Sequence, residues 1–237
     1  SKKKNLKKYT LGNLKSFINI KEVKKINDQK KIDFTINKKN YSFETSLIGD
    51  IQIKNLMFAI VAAFLSGVKI NNIVKSISKI KPISGRLEKV GNLKNKARVI
   101  LDYAHTPHAL KTLILDTRKE FPLSKVSLVF GCGGNRDEEK RSMMGIIARK
   151  YSDCIYLTDD NPRFESPELI RNQVKKGLKS KKFFEIPSRG KAINTAIQKL
   201  NSGDVLIVAG KGHENYQEYK NKFFFSDKIE ILKAIKK

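Results

Sequence analysis

From Arg98 onward, short apolar runs alternate with helical stretches, and this alternation restricts the fold more than any other feature of the chain. The runs are RVILD, KVSLVFG, DCIYLTD, KFFEI and DVLIVAG. Apolar spacing predicts helices over roughly 107–120, 138–151, 167–180, 189–200 and 226–236. Alternation of this kind predicts an α/β class domain, doubly wound around a mostly parallel sheet. In such sheets ligands bind outside the carboxyl ends of the strands, so the loops that follow the strands are read together.

Those loops are DYAHTP (102–107), GCGGNRDEEKR (131–141), TDDNPR (158–163), PSRG (187–190) and AGKGHENYQE (209–218). Glycine, acids, arginine, lysine and histidine concentrate there, while the helices between them carry ordinary amphipathic patterns. Each loop alone has a plainer explanation. Gly131, Gly133 and Gly134 could serve as turn residues with positive φ. DDNP could cap the helix that starts at Pro167. GKGHE could be a tight loop with one salt bridge. Gathered at one sheet edge, they predict a polar site for a small charged ligand. Zinc is not expected: His105 and His108 are three apart, His213 is distant, and neither HxxxH nor HExxH occurs. A GxxxxGK[ST] phosphate loop is absent from the 237 residues.

Residues 1–48 differ. FINIKEVKKI, KKIDFTI and KNYSFETSL alternate apolar with polar residues and are split by NDQK and NKKN, the pattern of antiparallel strands and turns. NLMFAIVAAFLSGV (55–68) predicts a buried helix ending near Gly67, and NNIVKSISKI an amphipathic one stopped by Pro82. KPISGR is the linker candidate.

The net charge of +26 raises a nucleic-acid reading. Only 9 of the 49 basic residues are arginine, the type suited to base edges, and the lysines are spread along the whole chain. With no nucleic-acid motif, a solvated lysine-rich surface is the preferred reading. The longest apolar run, near Leu56–Leu65, is half of what a membrane span needs, so no membrane insertion is expected. The basic start SKKKNLKKYT has no apolar segment behind it and is not a secretory signal. Cys132 and Cys154 form no CxxC pair and are expected as reduced thiols in a cytoplasmic, monomeric protein.

GRLE, LDYAHTP, VFGCGGNRDEEKRSMMG, TDDNPRFESP and AGKGHENYQE stand in an order and spacing that resemble the Mur ligases. The resemblance implies an ATP-dependent amide-bond ligase of peptidoglycan precursor synthesis. DNPR resembles the members that add meso-diaminopimelate to UDP-MurNAc-L-Ala-D-Glu through an acyl phosphate. A member adding L-lysine, or a basic nucleic-acid-binding protein, is the alternative. It also implies that residues 1–83 are the end of an α/β ATP-binding central domain, and that 84–237 are a Rossmann-like domain receiving the amino acid. The family's phosphate loop, Mg2+ ligands and carbamylated lysine fall upstream of Ser1. The chain is therefore expected to be an inactive fragment with no catalytic residue and no metal ligand of its own. The resemblance gives ATP to Asn55, Arg86, Asp102 and His105. It gives the amino acid to Arg136, Asp160, Asn161, Pro162, Arg163, Gly210 and Glu214. Asn135, His108 and Phe164 depart from the residues usual at those places, which leaves the pocket's shape open.

Overall fold

A computed structural model describes residues 7–12, 16–26, 29–91, 93–179 and 182–236. The chain divides into two compact units, Ser1–Pro82 and Ile83–Lys237.

In the first unit, β1 (Ile18–Ile26), β2 (Gln29–Ile36) and β3 (Lys39–Thr45) form an antiparallel sheet in that order. Asn37 and Lys38 turn from β2 into β3 with φ of 47° and 64°, the two left-handed residues that a tight hairpin requires. Part of the preceding turn, Asn27 and Asp28, lies outside the described residues. Helices α1 (Asp50–Leu65) and α2 (Ile70–Ile77) cover the sheet. Ile18, Ile32, Phe34, Ile36 and Phe43 meet Ile53, Met57 and Ile60 of α1 and Ile73 and Ile77 of α2. Two expectations are corrected here. The first helix starts at Asp50 rather than Asn55, and it buries one stripe only: Ile51, Phe58 and Leu65 are exposed. The second ends at Ile77, before Pro82 acts.

The second unit runs β4 (Glu88–Lys89), β5 (Arg98–Asp102), α3 (Pro107–Glu120), β6 (Val126–Phe130), α4 (Glu139–Tyr151), β7 (Cys154–Leu157), α5 (Pro167–Leu178), β8 (Phe184–Glu185), α6 (Arg189–Gln198), β9 (Val205–Ala209), β10 (Tyr216–Tyr219), β11 (Asn221–Phe224) and α7 (Asp227–Ile235). Six strands form one sheet in the order β4-β5-β9-β6-β7-β8, parallel except for β4. The steps from β5 through β8 run one way across the sheet, and the step back to β9 runs the other. Right-handed crossovers then put α6 on the face opposite α3, α4 and α5. There Ala192, Ile193, Ala196 and Ile197 of α6 and Ile231 and Ala234 of α7 pack on Val99, Leu101, Val129, Tyr156, Leu206 and Val208. The strands are apolar along their length because both faces are covered.

Register brings the strand ends to one edge: Asp102 pairs with Ala209, and Phe130 with Leu157, which pairs with Glu185. The antiparallel hairpin β10–β11 is an element that the sequence reading left as loop.

Candidate functional site

Two clusters form at this edge. The first surrounds Tyr103. The Arg86 guanidinium lies 4.6 Å from the centre of its ring. His105 meets it edge-on at 4.7 Å, and His213 lies at 5.4 Å. Next to it, at the end of β5, both oxygens of Asp102 accept backbone N–H bonds, from Leu87 at 2.8 Å and Ala104 at 2.7 Å. Burial pushes the Asp102 carboxyl above the usual range, and these two bonds and the nearby Arg86 and His105 charges oppose it only in part. Two N–H bonds leave a carboxylate with further lone pairs for a ligand's hydroxyls.

The second cluster lines a cleft of about 580 Å3 that includes Tyr103, Arg136, Asp160, Arg163, Gly210 and Glu214. The loops after β6 and β7 interlock to form its wall. A Cβ on Gly134 would fall on the carbonyl oxygen of Pro162, and Gly131 is pressed the same way against Thr158. These glycines serve close approach. The left-handed residues of the two loops are Asn135 and Arg163, which corrects the turn reading. Arg141 clamps the same loops, donating to Glu165 Oε2 at 2.8 Å and Gly133 O at 3.1 Å. Its guanidinium holds the Glu165 carboxyl below the usual carboxylate range. DDNP does not cap α5: Ser166 does, accepting from the Leu169 N–H. Asp159 binds Arg171 and the Tyr219 hydroxyl and is structural.

Asn161 is 2% exposed. Its Oδ1 accepts from Lys211 Nζ at 2.9 Å and the Glu218 N–H at 3.1 Å, and its Nδ2 donates to Glu214 Oε2 at 3.1 Å. Lys211 also donates to Glu214 Oε2 at 3.0 Å. Asp160 carries its carboxylate beside Gly210, 3.9 Å from Arg189 Nη1. Arg189 is fully buried and makes two 2.7 Å bonds to Asp227 and one of 2.9 Å to Ala209 O.

The Arg163 guanidinium is partly engaged by the protein itself. Its Nη1 donates to Gly134 O at 2.8 Å and Asn161 O at 3.4 Å, and its Nε lies 3.3 Å from Glu218. Its backbone bridges to Tyr219, so the arginine also docks the hairpin. Pro162 is buried beneath the cleft wall, and Arg136 is exposed at the rim. Asn55 belongs to the first unit, where it is exposed on α1; the other ten predicted residues belong to the second.

The salt bridge allowed for in GKGHE forms between Lys211 and Glu214 at 3.0 Å. The bond from Lys211 to Asn161, and the roles of Tyr103 and Arg189, were not foreseen: those partners lie 50, 111 and 38 positions away in sequence, so no local spacing marks them. Cys132 is buried beside Asp160, and burial pushes its thiol up to about 12. Both cysteines are free. Among the described residues no three His, Cys, Asp or Glu side chains group to hold a metal ion, and no helix is long and apolar enough to cross a membrane. A second hollow of about 840 Å3 opens beside α6, α7 and the hairpin, with Phe223, Phe225 and Tyr219 in its wall.

The family description "Mur ligase, glutamate ligase domain" matches residues 85–212. The chain is 40% identical over 203 residues to the UDP-N-acetylmuramoyl-L-alanyl-D-glutamate–2,6-diaminopimelate ligase of Rickettsia typhi (strain ATCC VR-144 / Wilmington), covering 85% of this chain and 40% of that protein. A solved structure of a ligase of that same name matches at TM-score 0.70 and 30% identity, over 96% of this chain and 47% of that one. The MurF ligase of Thermotoga maritima in complex with ADP matches at TM-score 0.64 and 15% identity, over 95% and 47%, a likeness of fold. The chain thus spans less than half the length of these relatives.

Proposed function

The chain belongs to the Mur ligase family, and from that premise we propose that it is the C-terminal part of an ATP-dependent ligase that joins meso-diaminopimelate to UDP-MurNAc-L-Ala-D-Glu. The first unit is then the end of the ATP-binding domain and the second the domain that receives the amino acid. The observation that carries this reading is the mixture of charges in one cleft. Asp160 and Glu214 suit an ammonium group, and Arg136 and Arg163 suit carboxylates. A diamino dicarboxylic acid presents both.

The reaction passes the γ-phosphoryl of ATP to the carboxylate of the UDP-linked dipeptide. The amine then attacks the acyl carbon, phosphate leaves, and the amine's proton is lost. The residues of this chain bind and orient. Asp102 accepts ribose hydroxyls, Arg86 faces the phosphates, and His105 lies beside the nucleotide. Asn55 is assigned to the adenine end. Arg136, Asp160, Asn161, Arg163, Gly210 and Glu214 hold the incoming zwitterion so that one amine faces the acyl carbon, the alignment that turns an encounter into a near-intramolecular step. Magnesium would neutralise phosphate charge in this chemistry. Among the described residues no acidic cluster fits it, and no step is routed through it.

The test is phosphate release by the complete native protein supplied with ATP, Mg2+ and the UDP-linked dipeptide. Release should depend on meso-diaminopimelate and exceed that with L-lysine by at least an order of magnitude in kcat/KM. Equal use of lysine would move the substrate assignment. No amino-acid dependence at all would overturn the ligase reading. Residues 1–237 alone should give no turnover.

A further inference from the structure

On the reading of this cleft as an amino-acid pocket, we propose that Lys211 is a positioning residue: it does not meet the ligand, and it fixes the faces that Asn161 and Glu214 turn toward it. The lysine is 0% exposed, a placement that a primary ammonium tolerates only when its hydrogens are taken up. Two go to Asn161 Oδ1 and Glu214 Oε2, at 2.9 and 3.0 Å. The Tyr216 ring, 5.2 Å away, offers its face to the same charge.

The consequences follow from donor and acceptor counting. Asn161 Oδ1 already receives Lys211 Nζ and the Glu218 N–H, so the amide can only turn its Nδ2 toward Glu214. Glu214 Oε2 then receives two donors, from Asn161 and Lys211. Oε1, 3.5 Å from the Tyr103 hydroxyl, is the oxygen left with room for an incoming ammonium. One buried lysine thus sets the orientation of an amide and a carboxylate at once. Gly210 and Gly212, with φ of 117° and 51°, give the loop the turn that aims the Lys211 side chain inward.

A purely structural lysine would affect all ligands alike. The test therefore uses a double-mutant cycle in the complete native protein, with Lys211→Met, Glu214→Gln and both together. Lys211→Met should raise KM for the amino acid about ten- to a hundredfold, the loss of one charged hydrogen bond. KM for ATP should stay within about threefold, and Lys211→Met with Glu214→Gln should cost clearly less than the product of the two single effects, the remainder coming through Asn161. Lys211→Gln, which keeps a donor for Asn161, should fall between and serves as the cycle's second variant if the methionine protein folds poorly. Multiplicative effects of the two substitutions, or equal rises in both KM values, overturn this role while leaving the pocket reading intact. A wild-type protein without amino-acid-dependent turnover overturns both.

Discussion

The carboxylate of Asp160 reaches within 2.7 Å of the point that a β-carbon on Gly210 would occupy. Gly210 also holds φ at 117°, where side-chain-bearing residues are strained. Gly210→Ala should therefore displace Asp160 and add backbone strain of about 1–3 kcal/mol. The expected outcome is a higher KM for the amino acid with a modest fall in Tm. Steady-state kinetics with ATP saturating measures the first; an unchanged KM would show that Asp160 does not meet the ligand.

Asp102 makes a pH-dependent prediction. Burial raises its pKa, so its folded value lies above its unfolded one. Protonation then favours the folded chain, and the ionised form costs stability above the unfolded value. Accepting ribose hydroxyls with both oxygens needs the ionised form, which is lost as pH falls through the raised value. Nucleotide affinity should weaken on acidification sooner than an ordinary aspartate would dictate. Asp102→Asn should remove that dependence, and Asp102→Ala should weaken ATP about ten- to a hundredfold. Nucleotide titrations across pH decide it; a flat profile in the unaltered protein removes Asp102 from this role.

Much of this was legible in the sequence because it rests on local pattern. Five apolar runs with helices between them fix the α/β layout, and parallel strands send their following loops to one edge, so Asp102, Asp160, Asn161, Gly210 and Glu214 could be grouped before any coordinates. What stayed hidden depends on long-range contact. Gly134 reads as a turn glycine until Pro162 is seen against it. Lys211 reads as the partner of nearby Glu214 alone until Asn161, 50 positions away, is seen accepting from it as well. The hairpin Tyr216–Phe224 escaped because its turn, Tyr219–Lys220–Asn221, carries no glycine or proline, and Lys220 adopts φ of 61° instead.

Beneath the cleft, Asp227 is the only partner with which Arg189 forms a two-bond ion pair among the described residues, and both side chains are 0% exposed. Burial works against the arginine's charge, yet Asp227 outweighs it and the pKa is raised. Removing one member of such a pair leaves an uncompensated buried charge. Asp227→Ala should cost about 3–5 kcal/mol of stability. Urea unfolding of the second unit measures the loss; a change below about 1 kcal/mol would mean that solvent or Asp160 compensates Arg189.

On the reading of the cleft as an amino-acid pocket, Arg163 is assigned the preference for meso-diaminopimelate over lysine. Meso-diaminopimelate differs from lysine by one carboxylate at its far end, and a pocket that selects it must supply a cation there. Arg163 lines the cleft, yet its Nη1 is engaged by Gly134 O and Asn161 O and its Nε by Glu218. A carboxylate can therefore meet the Nη2 edge and the guanidinium charge, rather than a fork with every donor open. Arg163→Ala should lose two things: the ligand's cation, and the tie between the loops after β6 and β7. The first acts on meso-diaminopimelate alone, and the second on any amino acid. The expected result is a rise in KM for both, larger for meso-diaminopimelate, with the difference reflecting an unpaired carboxylate in a partly desolvated pocket at about 2–5 kcal/mol. Arg163→Lys should restore little, because the donors of an ammonium radiate from one nitrogen and cannot reach Gly134 O, Glu218 and the ligand from the separate positions of Nη1, Nε and Nη2. Comparing kcat/KM for the two amino acids in each variant separates the contributions. An equal loss for both would leave Arg163 with the loop tie alone and pass the carboxylate to Arg136 at the rim.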